Sequence, residues 1–68
     1  MQIFQVTVSE GDWTFCPSVA ALTVEDAVSS AVREFEERHG PQSSEIFATC
    51  DGVRYSVSRR VEYKVTRV

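Results

Sequence analysis

The spacing of the apolar residues changes twice along this chain of 68 residues. It is two residues from Phe4 to Val8, follows a helical period from Val24 to Phe35, and returns to two residues from Ile46 onward. A spacing of two is typical of half-buried strands, whereas a spacing near 3.6 indicates an amphipathic helix. The chain is therefore predicted to form strands, then one helix, then strands again.

Two strands are predicted ahead of the helix. The loop 10–11 contains a glycine and is interpreted as the tight turn of a hairpin. This loop places Val8 opposite Trp13 and Val6 opposite Phe15, so that both pairs are apolar on the same face.

The helix is predicted over residues 24–38. Pro17 ends the second strand because proline cannot donate to a ladder, and residues 18–22 are interpreted as a connector. Thr23 supplies an N-cap, and Gly40 follows the last turn, where glycine commonly ends a helix. The apolar stripe of the helix contains Val24, Val28, Ala31, Val32 and Phe35.

A second hairpin is predicted after the helix. The loop 51–52 has the sequence Asp-Gly, which is a strong signal for a two-residue turn. The apolar pairs that this loop aligns are Cys50 with Val53, Ala48 with Tyr55, and Ile46 with Val57. Residues 53–67 keep the same alternation. They are interpreted as one long bent strand or two consecutive segments, with two strands joined by an unusual turn as the alternative.

These elements predict an α+β fold with the order β-β-α-β-β, and a fifth strand if residues 53–67 divide. One helix is expected to pack on one face of an antiparallel sheet, in a single domain over residues 1–68. Most enzyme folds need a longer chain to build a core and a separate cleft. A domain of this length buries only about 60% of the surface that its unfolded chain exposes, so a partner or a second copy would help to stabilise it.

The charges are unevenly distributed along the chain. The net charge is −3, from seven basic and ten acidic residues. Residues 1–38 hold seven acidic and two basic residues, a net of −5, and residues 39–68 hold three acidic and five basic residues, a net of +2. This asymmetry predicts two surfaces of opposite charge.

The chain lacks the residue patterns of the common catalytic and metal sites. Cys50 and His39 are one candidate nucleophile and base, but the alternation buries Cys50, which favours a role as a small hydrophobic residue. Cys16 falls on the outer face of the sheet, opposite Gln5, so the two cysteines are not expected to bridge. A single histidine argues against a zinc site, and three scattered glycines argue against a phosphate-binding loop. No enzyme activity, metal or cofactor is expected.

Neither a secretory signal nor a membrane span is predicted. The first residues have neither a basic start nor an apolar run of the length that a signal needs. No window is apolar enough to cross a membrane. The cysteines form no CxxC pair, and a reduced, cytoplasmic setting is the default expectation.

Two surfaces are candidates for binding, and the first is the outer face of the sheet. An aromatic residue beside arginines on an open sheet is suited to stack on and hold a single-stranded base. The residues predicted there are Phe47, Thr49, Arg54, Ser56, Arg60 and Lys64. The alternative is that Phe47 is covered by the connector or by a second chain.

The second candidate surface is the exterior of the helix together with the first turn. A crowded acidic face imitates phosphate and can occupy a basic groove of a nucleic-acid-handling protein, although acidic residues also serve ordinary solubility. The residues predicted there are Glu10, Asp12, Glu25, Asp26, Glu34, Glu36 and Glu37.

Two families share features with this chain. From Phe4–Val8 through Trp13–Phe15 to Leu-Thr-Val-Glu-Asp-Ala at residues 22–27, the first half resembles the N-terminal part of HicB-type antitoxins. The resemblance does not extend to the C-terminal DNA-binding segment of that family. The small size, the acidity and the plan of one helix on an antiparallel sheet also resemble phage-encoded anti-CRISPR proteins. Both resemblances imply a small non-catalytic domain that binds and blocks a nucleic-acid-processing protein.

The sequence therefore favours a non-enzymatic protein-interaction module, an inhibitor from a phage or mobile element that blocks a host nucleic-acid-processing complex. The partner-binding residues predicted for it are Glu25, Asp26, Glu34, Glu36, Glu37 and Phe47. Phe47 or Trp13, if exposed, would be the apolar anchor. The alternatives are an antitoxin-like partner-binding subunit, a subunit that dimerises through residues 53–67, and a nucleic-acid-binding domain. The nucleic-acid-binding residues predicted for that domain are Arg54, Arg60 and Lys64.

Overall fold

The computed structural model describes residues 1–40, 46–59 and 63–68 and shows one helix packed on a six-stranded antiparallel sheet. The elements before and including the helix are β1 (Gln2–Glu10), β2 (Trp13–Phe15), β3 (Ser18–Ala21) and α1 (Val24–His39). The elements after the helix are β4 (Ile46–Cys50), β5 (Val53–Arg59) and β6 (Tyr63–Arg67). The predicted α+β class is confirmed, and the order β-β-β-α-β-β-β contains one strand more before the helix than expected.

The first hairpin turns at the loop 11–12, one residue later than predicted. Val8 pairs with Phe15, so the predicted pairs of Val8 with Trp13 and of Val6 with Phe15 are wrong by two positions. The glycine is the first loop residue and has a φ of 58°, whereas the aspartate after it has no positive φ. A type II′ turn needs a positive φ at its first central position, which explains why the glycine opens the loop.

The segment 18–22, interpreted as a connector, contains strand β3. Both β2 and β3 pair with β1 in one continuous register, so they form a single edge strand interrupted at Cys16 and Pro17. The backbone N–H of Val6 donates to the carbonyl of Pro17 at 3.1 Å. Pro17 has no N–H to return the second bond of the pair, which ends β2 there as predicted. The ladder resumes directly after the proline.

The helix α1 matches its predicted range to within one residue, because both caps act as expected. The Thr23 hydroxyl accepts a hydrogen bond from the backbone N–H of Asp26 at 3.1 Å. At the other end, the N–H of Gly40 donates to the carbonyl of Glu36 at 2.7 Å, and Gly40 has a φ of 84°. Because proline cannot continue a helix, the sequence predicts Pro41 as part of the same stop; Pro41 lies outside the described residues.

The second hairpin follows its predicted register. Cys50 pairs with Val53 across the turn, and Asp51 and Gly52 have φ values of 53° and 78°. Two successive positive φ values are the requirement of a type I′ turn, which Asp-Gly satisfies best. Residues 53–67 are two strands, and β6 folds back to pair with β5 in the antiparallel sense. The interpretation as one long strand is therefore wrong; the connecting residues 60–62 lie outside the described part.

The sheet has the order β2-β1-β4-β5-β6, with β3 beside β1 on the same side as β2. The helix packs against one face of this sheet, here called the inner face. The buried apolar residues are Phe4, Val6, Val8, Ala21, Ala27, Val28, Ala31, Val32, Phe35, Ile46, Ala48, Cys50, Tyr55 and Val57. The opposite, outer face has no described element packed on it, so its side chains define a second surface.

Candidate functional site

The predicted acidic exterior of α1 is divided by the structure. Glu25 and Asp26 are exposed in the first turn, and Glu37 is exposed in the last. At 1.5 Å of rise per residue, roughly 18 Å of helix separates Glu25 from Glu37. Glu34 forms an ion pair with Arg38, with Oε1 and Nη2 3.6 Å apart. The exposed carboxylates therefore lie at the two ends of the helix, the second of which they share with Arg38, and form no continuous acidic face.

Glu36 does not lie on the solvated face where it was predicted. Its side chain is buried, with 6% exposed, so the prediction that it belongs to the exposed acidic surface is wrong. Glu36 follows Val32 by four residues, and residues four apart lie one above the other on a helix. It therefore lies on the flank of the buried stripe. Helical spacing, applied to the acidic residues as it was to the apolar ones, would have found this.

The tip of the first hairpin and the end of α1 form an aromatic cluster that the sequence did not reveal. We call it the Trp13 corner; its members are Trp13, Phe15, Phe35, Arg38 and His39. The ring centroids of Trp13 and His39 are 4.2 Å apart, and those of His39 and Phe35 are 4.8 Å apart. Trp13 nevertheless remains 58% exposed. The corner thus holds a large aromatic ring in place at the surface.

The charged residues around the Trp13 corner are mostly acidic. Asp12 precedes the tryptophan in the exposed turn, and Glu37 lies in the last turn of the helix. Glu10 pairs with Trp13 across the hairpin and is half-buried, with no hydrogen-bond partner for its Oε2 among the described residues. Arg38 contributes the opposite charge, and its guanidinium lies 5.1 Å from the centre of the Phe15 ring.

On the outer face the structure brings Phe47 and Arg54 together, as the sequence predicted. They lie on the paired strands β4 and β5, and the Arg54 guanidinium is 4.3 Å from the centre of the Phe47 ring. This distance is within the range of a cation–π contact. Phe47 is half-buried. Part of its ring is covered by Arg54, and not by the connector 18–22 that the sequence offers as an alternative. Arg54 itself is exposed, so one side of the pair faces solvent.

The rest of the outer face is rich in hydroxyl groups and contains no carboxylate at the outward positions of the described strands. The hydroxyl-bearing residues there are Thr7, Ser9, Thr14, Ser18, Thr49, Ser56, Ser58 and Thr66. Lys64 pairs with Ser58 and is exposed, which adds a second cation. Arg60, which was predicted to belong to this surface, lies outside the described residues.

The two cysteines are free thiols in opposite environments. Cys50 is buried on the inner face, as predicted, and this burial, with Asp51 beside it, raises the pKa of its thiol. Cys16 is exposed, and Gln5 pairs with Ser18 rather than with this cysteine. A thiol kept protonated in an apolar core is a poor nucleophile. Cys50 therefore packs as a small hydrophobic side chain.

Within the described ranges, no three His, Cys, Asp or Glu residues come together as metal ligands, and no helix is long and apolar enough to span a membrane. Comparison of the chain with protein-family models, with curated proteins and with solved structures finds no match.

Proposed function

We propose that the protein is a non-enzymatic protein-interaction module, and that the Trp13 corner is the surface by which it binds a basic partner. The observation that carries this proposal is a tryptophan that is 58% exposed although its ring packs 4.2 Å from that of His39. A ring already held in position loses little conformational freedom on binding, and tryptophan is enriched at the centres of protein interfaces.

The charges near the Trp13 corner support a basic partner. Asp12 and Glu37 are both exposed, and Arg38 is paired with Glu34, which reduces the positive charge that it presents. Carboxylates at the rim of an interface speed the encounter with a basic surface and discriminate against acidic ones. The specific form of this proposal is an inhibitor that occupies the nucleic-acid groove of a host protein, which would be one way to play the blocking role that the resemblance to anti-CRISPR proteins implies. Occupation of the groove requires no catalytic residue.

A capture experiment with matched variants tests this proposal. Wild-type protein, Trp13→Ala and Val68→Ala are immobilised, and the proteins retained from a cell extract are quantified by mass spectrometry at low and high salt. Val68 is the control because it is 71% exposed but lies near the opposite edge of the sheet, where its N–H donates to the carbonyl of Arg54. We expect partners that Val68→Ala retains and Trp13→Ala loses, since a central tryptophan contributes about 2 kcal/mol or more, roughly 30-fold in affinity.

The retained partner is then purified and titrated against the free protein. Trp13 is the one tryptophan of the chain, so 5-fluorotryptophan incorporated into this chain alone gives one fluorine NMR signal, and a shift of that signal reports contact at this corner. Glu37→Lys should weaken binding at low salt more than at high salt, because the contribution of an exposed charge is screened. Equal capture by Trp13→Ala and wild type would exclude the Trp13 corner as the binding surface.

A second candidate function, binding of single-stranded nucleic acid, is favoured by the outer face. The Arg54 guanidinium stacked on Phe47, the surrounding hydroxyl groups and the absence of carboxylates at the described outward positions are what a phosphate backbone and a stacked base require. The same sheet face would use Lys64 for a phosphate contact.

Fluorescence anisotropy with labelled oligothymidylate and oligouridylate tests the second candidate. Arg54→Ala should weaken binding and reduce its salt dependence, whereas Arg33→Ala removes one exposed charge on the helix side and should have little effect. Phe47→Ala should cost roughly 1–3 kcal/mol if a base stacks there. The absence of any anisotropy change at tens of micromolar protein and low salt would exclude this function.

A further inference from the structure

The two edges of the sheet differ in charge. The last strand, β6, carries Lys64 and Arg67, both exposed. The opposite edge is formed by β2 and β3, and no charged side chain occurs in residues 1–9 or in residues 13–24. Charged side chains, lysine above all, protect edge strands from pairing with other chains. One edge of this sheet therefore has such protection, and the other lacks it.

The backbone of β3 has hydrogen-bonding groups on its open side. Within the described residues β3 pairs with β1 alone. Val6 and Pro17 form a hydrogen-bonded pair of the ladder, and such pairs recur every second residue in an antiparallel register. The peptide groups of Val19 therefore point towards β1, whereas those of Ser18 and Ala20 point away from it. These two residues offer their N–H and C=O groups to a further strand.

An apolar patch lies beside this open edge. Ile3 is 71% exposed and pairs with the exposed Ala20, and Leu22 directly after β3 is 73% exposed. Met1, at 88% exposure, precedes the strand that β3 pairs with. None of these four residues has a charged side chain. Exposed apolar groups that are contiguous in this way mark interaction surfaces.

We infer that the chain forms a symmetric dimer in which β3 pairs antiparallel with β3 of a second copy. Electrostatics favours a second copy as the partner of this edge. In a twofold interface the same edge of both copies meets, so charges of one sign beside the axis would oppose each other. The protein has a net charge of −3, and the edge formed by β3 is where two copies meet without charged side chains opposed.

This dimer has a defined geometry. The twofold axis of an antiparallel strand pair is perpendicular to the sheet, so both outer faces lie on the same side of one continuous sheet. The patches formed by Ile3, Ala20 and Leu22 then adjoin each other across the axis. The sequence also allows a dimer through residues 53–67, but pairing β6 with a second β6 would oppose the cations Lys64 and Arg67 of one chain to those of the other.

The oligomeric state in solution tests this inference, with two variants that act on different parts of the interface. Ala20→Pro removes an N–H that points away from β1, so the ladder within the chain is kept. Leu22→Lys places a charge beside the twofold axis. Val68→Lys is the control, because Val68 is 71% exposed, close to the 73% of Leu22, but lies near the opposite edge of the sheet. Circular dichroism of each variant verifies that the fold is retained.

Sedimentation equilibrium over a wide concentration range should show wild type and Val68→Lys in a concentration-dependent dimer, since so short an interface is smaller than that of permanent dimers. Leu22→Lys should raise the dissociation constant at least roughly tenfold, because each dimer loses two buried leucines. Ala20→Pro should be monomeric. A wild type that stays monomeric throughout overturns the inference, and so does a dimer that both variants leave intact. Neither result bears on the Trp13 corner.

Discussion

The two faces of the sheet are built by the same strands and have opposite properties. On β4, Ala48 and Cys50 are buried under the helix, while Thr49 between them is exposed and Phe47 is half-buried. The inner face excludes water and stabilises the fold; the outer face carries hydroxyl groups and two cations. Alternation alone therefore gives the same strands one buried apolar face and one solvated polar face.

The largest expected effect comes from a truncation under the helix. Phe35 is 1% exposed and packs against the rings of Phe15 and His39. Phe35→Ala should lower the free energy of unfolding by about 3–5 kcal/mol, since it removes apolar contacts and leaves a cavity. Urea denaturation followed by far-ultraviolet circular dichroism measures this. Thr49→Ala on the outer face is the control and should change the value by less than about 1 kcal/mol. Equal losses in the two variants would break the distinction between the faces.

An intermediate effect is expected at the cap of the helix that covers the inner face. Thr23→Ala removes the acceptor for the Asp26 N–H and should cost about 1 kcal/mol. The same denaturation experiment measures this loss. Thr23→Ser keeps a hydroxyl acceptor and should stay close to wild type. If Thr23→Ser is as unstable as Thr23→Ala, the hydroxyl does not act as a cap.

The last effect is absent at neutral pH and distinguishes the two faces by their thiols. Burial raises the pKa of Cys50 above its ordinary value of 9.0, so the unfolded chain loses this proton at a lower pH than the folded one does. The stabilisation is complete below pH 9.0 and is lost as the pH rises further, by at most about 1.4 kcal/mol per pH unit. Urea denaturation at several alkaline pH values should show a steeper decline for wild type than for Cys50→Ala.

Alkylation at mildly alkaline pH provides the second measurement on the thiols. Cys16 should react at once in the folded protein, whereas Cys50 should react only after denaturant is added. Rapid labelling of both thiols in the folded protein would contradict the burial of Cys50.

How far the sequence predicted the fold depended on how local each signal was. The helix, its threonine cap and the Asp-Gly hairpin were all recognised, because neighbouring residues determine each of them. The predicted register of the first hairpin is wrong, since the sequence shows that the loop contains a glycine but not whether that glycine is its first or its second residue. The sequence does not predict strand β3, because the four residues after Pro17, Ser-Val-Ala-Ala, show no clear alternation of polar and apolar side chains. It exists because β1 already offers the ladder that it joins.

The candidate site followed the same division. The alternation along the strands predicts Phe47 and Arg54 on one face. In the structure the Arg54 guanidinium lies 4.3 Å from the centre of the Phe47 ring. Residue type alone predicts Glu36 at the surface. It is buried because helical spacing places it beside the apolar stripe. The Trp13 corner brings together Trp13 and His39, which lie more than twenty positions apart in the chain, so no local pattern predicts it.

By itself, the sequence determined which residues alternate, where the helix begins and ends, and which side of each strand is apolar, since these depend on contacts within a few residues. Only the tertiary structure decided that residues 53–67 divide into two paired strands and that one sheet edge has no charged side chain. It also decided that a tryptophan is held at the surface by the end of the helix. These features arise from the pairing and packing of distant segments, whose free energy depends on all of the elements together.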